Sequence, residues 1–243
     1  MDTTVAKAFL VLETLARSRR PMRLSALTEA VGLHKSNVHR LLATLVELGY
    51  VERDEETTRY AATLQAWELG VRIIAANGLR RAVSPHLHKL HTLTGDTALL
   101  VTPVGDEVLF LDRVATARLL RYTPMNGTRA PMVITASGHA FLSRMEDPRP
   151  AIERGLKMAP EADLSADQLL RDVATARSQG YAISAALTPG ALAVAAVLPG
   201  PGGVAAAAIS ISGPKRLMHG EHLDTVVEHL LDTCAEIGEL SIG

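Results

Sequence analysis

The run Lys35-Ser36-Asn37-Val38-His39-Arg40 holds residue types that read and grip a nucleic acid. A carboxamide such as Asn37 can pair with adenine N6 and N7, and a guanidinium such as Arg40 with guanine O6 and N7 or a phosphate. Lys35, Ser36 and His39 carry donors suited to phosphate or mixed contact. Thr44, one turn beyond Arg40, and Ser25, on the element before, complete the polar candidates.

Such chemistry needs a helix to present it. Val38, Leu41, Leu42 and Leu45 recur at three- and four-residue spacing, so they predict a helix with its apolar stripe buried and the donors outward. Leu24–Val31 reads as a shorter amphipathic helix, with Ser25 placed to cap it. Gly32 supplies the tight turn between the two. The pair is the sequence form of a helix-turn-helix. Upstream, Val5, Ala8, Phe9, Leu12, Leu15 and Ala16 predict a helix over 4–17, ended by Pro21. Downstream, Tyr50–Arg53 and Thr58–Ala61 flank Asp54–Thr57 and predict a β-hairpin, hence a wing. Arg53 and Arg59 on that wing, with Arg23, are placed to hold the DNA backbone, and a wing arginine to enter the minor groove.

The overall net charge of −1 does not suggest a polyanion partner, but its distribution does. Residues 17–40 carry Arg17, Arg19, Arg20, Arg23, Lys35 and Arg40 against Glu29 alone, a local +5. Phosphate contact requires such a patch. A winged helix used for protein contact needs no such field.

The 243 residues suffice for two ordinary domains, and a 47% hydrophobic content suffices for their cores. The single cysteine, Cys234, forms no internal disulfide, which fits a reducing cytoplasm. No apolar run is long enough to span a bilayer as a helix, and no secretory leader pattern opens the chain. The expected division is a winged helix-turn-helix over 1–62, a linker helix over 63–78, and a second domain over 79–243. The linker's stripe, with the only tryptophan, Trp67, packs on the first domain or on a partner chain. In the second domain, helices are expected over 79–94, 135–144, 167–179 and 221–237. Strands are expected over 97–103, 107–114, 119–123, 181–184, 192–198 and 204–212, with hairpin turns at Gly105-Asp106 and Gly200–Gly203. This pattern indicates an α+β domain with an antiparallel sheet. Residues 146–163, rich in Pro and charge, read as surface.

Other clusters are weaker. His86, His88 and His91 do not share one helix face with a cysteine or acid at metal-ligand spacing, so no metal is expected. Ser137-Gly138-His139 lacks a nucleophile elbow, and an enzyme with an accessory helix-turn-helix would need a base–nucleophile pair that cannot be assembled. Asp112-Arg113 reads as a structural charge pair, and Cys234 as core.

Taken in order, several segments resemble the IclR-type bacterial transcription regulators. They include Leu33–Leu42, Leu48–Arg53, Asp106-Glu107-Val108, Leu111–Val114 and Gly127–Pro131. They continue with Thr135–Ala140, Gly180–Ile183, Pro189-Gly190 and Ile209–Pro214. The resemblance implies a GAF-like C-terminal domain that binds a small organic effector, commonly a carboxylate from catabolism, and no cofactor. It implies a dimer, often a dimer of dimers, that controls nearby catabolic genes; such a dimer would read a palindromic DNA operator, and a repressor is the expectation, although repression and activation leave the same sequence pattern. By the same resemblance, the effector pocket is lined by Leu119, Tyr122, Ala130, Ala136, Ser137, Ser184, Ala191, Ala193, Ser210 and Ser212. Members that bind small keto acids tend to have an acid where Ser184 stands and a cysteine where Ala193 stands, and a frequent histidine is here Val133. These replacements imply a wider, less polar pocket, suited to an effector with an apolar or aromatic body.

Overall fold

The computed structural model describes residues 3–116, 124–199 and 205–239. The chain divides into two compact units, Met1–Ala76 and Asn77–Gly243. In the first, α1 (Thr3–Arg17), α2 (Leu24–Val31) and α3 (Lys35–Glu47) pack around Val11, Leu15, Leu27, Val38, Leu42 and Leu45. These apolar positions fall on one stripe of each helix, and burying them holds the three together. Gly32 adopts φ +62°, the left-handed turn that lets α3 leave α2 at once.

The hairpin consists of β2 (Val51–Arg53) and β3 (Arg59–Ala62), in antiparallel register with Val51 opposite Ala62. A third strand, β1 (Met22–Arg23), joins its other side, Met22 opposite Tyr60. Two residues carry too little pattern to be read as a strand. This strand also changes the cap of α2. Because β1 runs straight into the helix, the extended residue before it is Arg23 (φ −76°, ψ 154°), which makes no side-chain cap bond. Ser25 therefore lies inside the first turn rather than at the cap.

The unit ends with α4 (Gln65–Ala75), none of whose residues is buried. Trp67 is 64% exposed and Ile73 65%, with Leu64, Leu69 and Val71 also exposed.

The second unit is a six-stranded antiparallel sheet in the order β6-β5-β4-β9-β8-β7. Its strands are β4 (Thr97–Val104), β5 (Glu107–Val114), β6 (Arg129–Pro131), β7 (Ala182–Ser184), β8 (Ala191–Pro199) and β9 (Ala205–Pro214). One face carries α5 (Gly78–Thr94) and α9 (Gly220–Glu239) over Leu87, Leu90, Leu100, Ile209 and Leu230. The other carries α6 (Ala136–Leu142), α7 (Arg149–Met158) and α8 (Ala166–Gln179) over Val101, Phe110, Met132, Ile152 and Leu169. Alternating residues of the central strands thus serve two cores. The anticipated strand over 119–123 and turn over 200–203 lie outside the described residues.

Residues 146–163 are not surface throughout. They form α7 and a single 3-10 turn, Pro160–Ala162, with Ala151, Ile152, Gly155 and Ala159 buried. The prolines sit where a helix tolerates them, at its first turn. Asp112 takes Arg80 of α5 as its ion-pair partner (3.0 Å), while Arg113 donates its backbone N–H to Asp112 Oδ1 (3.0 Å). Cys234 is buried, and burial pushes its thiol up to about 12, so it stays protonated and packs as core. No helix among the described residues is long and apolar enough to cross a membrane.

Candidate nucleic-acid interface and effector cavity

In α3 the side chains of Lys35, Ser36, His39, Arg40 and Thr44 are exposed, while Val38, Leu41, Leu42 and Leu45 are buried. Ser36, Arg40 and Thr44 are spaced four apart and so follow one outward row. Asn37 lies about 100° round the helix from Ser36 and is half-buried, at the flank of that row. Arg23 and Ser25 are exposed nearby in sequence.

The wing is less basic than its arginines suggest. Arg59 is half-buried and donates to Pro21 O (3.4 Å), tying β3 to the segment before β1. The Arg53 guanidinium lies 5.9 Å from the centroid of the Tyr60 ring. The turn exposes Asp54, Glu55 and Glu56, and the Thr57 N–H (2.7 Å) holds the Asp54 carboxyl below its ordinary range. A charged, acidic tip disfavours phosphate, so Arg53 is the wing's freer cation.

In the second unit a cavity opens between the sheet and α6. It brings together Ala136, Ser137, Ser184, Ala191, Ala193, Ser210 and Ser212. Ala130 is buried in the neighbouring core and does not line it. Leu119 and Tyr122 lie outside the described residues. Leu99, Phe110, Pro124, Ile134 and Leu187 add walls that sequence reading missed. Phe110 and Leu99 alternate in strands β5 and β4, so a period-two count would have placed them on one sheet face, but not at a site.

Register explains the serines. Ala193 pairs with both Ser184 and Ser212, and Ser210 with Ala195 and Leu99. Ser184 donates to Ile134 O (3.3 Å) and accepts from Ala186 N (3.3 Å). The space between these walls is about 30 Å³. That admits about two waters, against about 150 Å³ for a site that takes benzene.

At the cavity wall, Thr135 caps α6 by accepting from Gly138 N (2.9 Å). His139, the next residue, is buried and bonds Val133 O through Nε2 (2.8 Å). A carbonyl only accepts, so Nε2 carries the proton. Burial holds the imidazole below its ordinary range and favours the neutral ring. Its Nδ1 has no hydrogen-bond partner. Among the described residues no group of three or more His, Cys, Asp or Glu could hold a metal.

A winged helix-turn-helix with an outward donor row, followed by a separate helix-covered sheet with a cavity, defines the class of DNA-binding proteins that carry a second folded unit. Family comparison agrees. Residues 4–55 match the IclR helix-turn-helix domain, and residues 71–239 the bacterial transcriptional regulator IclR C-terminal domain. The chain belongs to the IclR family of transcriptional regulators; it is a DNA-binding regulator and not an enzyme. It is 29% identical over 236 residues to the HTH-type transcriptional regulator BhcR of Paracoccus denitrificans, covering 95% of this chain and 84% of that protein. It is 29% identical over 184 residues to the acetate operon repressor of Salmonella typhimurium, covering 73% and 67%. Its fold matches an IclR homologue from Microbacterium hydrocarbonoxydans, solved with 4-hydroxybenzoate, at TM-score 0.77 and 23% identity, over 97% of each chain.

Proposed function

We propose that this chain is a cytoplasmic, effector-controlled repressor of catabolic genes, acting as a homodimer, or a dimer of dimers, on a palindromic operator. The outward row Ser36–Arg40–Thr44 on α3 carries the reading. The α3 helix enters the major groove N-terminus first, with Arg40 and Asn37 reading bases. Lys35, Ser36 and His39, with Arg23, Ser25, Arg53 and Arg59 around them, take the backbone. Repression is the activity named for the Salmonella relative. Dimerisation is supported by the exposed apolar side chains of α4 and by exposed Val5, Phe9 and Leu10 of α1, surfaces that a monomer leaves in water.

The effector is a small organic acid with an apolar or aromatic body, bound between α6 and β7–β9. A ring-sized body must displace a wall of the 30 Å³ cavity. Binding that moves a wall has different free energies in the two conformations, which is what control requires. The 4-hydroxybenzoate of the Microbacterium homologue supplies a first probe.

The test is a gel-shift titration on the DNA upstream of the gene at two salt concentrations. Specific, salt-steep binding is expected. Arg40→Ala should lower affinity about 10- to 100-fold, or about 1–3 kcal/mol, and relax sequence choice. Wild-type affinity and specificity in that variant would sink the docking. For the cavity, Ala193→Asp places a like charge in its wall and should weaken an acidic effector at least about tenfold. Calorimetric titration with the compound that shifts the gel reads this, and unchanged affinity would put the effector elsewhere.

A further inference from the structure

Asp112 is a buried carboxylate, 9% exposed, and its two oxygens face in two directions. Oδ2 pairs with Arg80 Nε at 3.0 Å. Arg80 lies in the first turn of α5, where its own N–H is capped by Asn77 Oδ1 (2.8 Å). Asp112 Oδ1 accepts from the backbone N–H of Arg113 (3.0 Å) and from Asn126 Nδ2 (3.5 Å). Arg113 in turn donates from a guanidinium nitrogen to Pro124 O (3.2 Å), and Pro124 lines the cavity. One carboxylate thus ties the segment beside the cavity to the start of α5. That helix is the first element of the second unit, and only Ala76 and Asn77 separate it from α4.

We infer that Arg80–Asp112–Arg113 is the contact through which cavity occupancy is felt at the start of α5, and so at the linker helix. This rests on the effector reading above. The physics favours an all-or-none link. A paired buried carboxylate is tolerated only while its partners stay, so a displacement of Pro124 that draws Arg113 with it loosens Asp112 and, through it, Arg80. An ordinary surface ion pair would yield piecemeal, because water replaces each lost partner.

Amide hydrogen exchange on the full chain, without DNA or effector, tests the link. The variant is Arg80→Gln, at a residue 34% exposed. The near reporter is Arg81 N–H, bonded to Asn77 O (3.2 Å). The far reporters are Gly127 N–H on Phe110 O (2.8 Å) and Thr128 N–H on Met125 O (3.1 Å). Near and far amides are expected to exchange about tenfold faster together, with α8 unchanged. Acceleration near Arg81 alone overturns the link, as does a uniform rise that includes α8, which marks Arg80 as a plain stabiliser. Asp112→Asn keeps the shape and removes the charge. It should loosen both ends if Arg80→Gln does not fold, and loosening at one end only overturns the proposal. If the link holds and no compound binds in the calorimetric titration, the effector reading alone fails.

Discussion

His222→Ala is expected to lower the stability of the second unit by about 3 kcal/mol, the low end for breaking a buried pair. Asp96 is fully buried, and its Oδ2 meets His222 Nε2 at 2.7 Å. Its other oxygen, Oδ1, has no partner. No room exists for relief from the sheet side, because a Cβ on Gly213 would lie 2.5 Å from Oδ1. Removing the imidazole leaves a carboxylate in the interior between β4 and α9 with no side-chain partner. The cost stays at the low end because His222 is 34% exposed, so water can follow it in. Asp96→Asn should cost less, since a neutral amide without its partner is cheaper to bury than a charge. Urea unfolding followed by far-ultraviolet circular dichroism reads both variants. An unchanged midpoint in His222→Ala, or a larger loss in Asp96→Asn, would show that the pair does not hold this corner.

The second large effect is expected at Gly138. A Cβ there would fall onto the backbone O, Cα and C of Met132. Backbone cannot swing aside as a side-chain tip can. Met132 is also anchored, its N–H on Asp106 O (2.9 Å) and its carbonyl accepting from Thr135 N (3.2 Å). Every residue of α6 is buried, so the helix has no free direction in which to retreat. Gly138→Ala should therefore cost about 3 kcal/mol, the upper end for an overpacked core. It should also displace Ser137 and abolish effector binding in whatever fraction folds. Gly190→Ala is the control. There φ is +77° with nothing near the added atom, so only left-handed strain of about 1–2 kcal/mol is expected. A Gly138→Ala protein as stable as the Gly190→Ala protein would mean that α6 and Met132 are not in contact.

What could be read in the chain, and what could not, follows from the range of the forces. Periodicity placed α1, α3, α8 and α9 within about two residues, because burial of a stripe is a local pattern. The outward row of α3 followed from the same count, since what is not in the stripe must face out. Short or non-local features escaped. Strand β1 is two residues long and exists only through its pairing with β3. The α7 helix was hidden by prolines that are harmless at its first turn. Arg80 could not be matched to Asp112, nor His222 to Asp96, because 32 and 126 residues of chain separate the partners. The serines of the cavity came from family resemblance. Its apolar walls, Phe110 and Leu187, come from elements that no local pattern joins.

The exposed ring on α4 makes the protein its own optical gauge. Trp67 is the only indole in the chain, alongside four tyrosines, and it sits on a helix with no buried residue. Excitation at the red edge of protein absorption thus selects one position. An emission maximum typical of water-bathed indole means α4 is bare. A shift to the blue on raising protein concentration, adding operator DNA or adding an effector means that something has covered it. The spectrum follows the linker rather than either folded core, so assembly and signalling can be followed on the unlabelled protein.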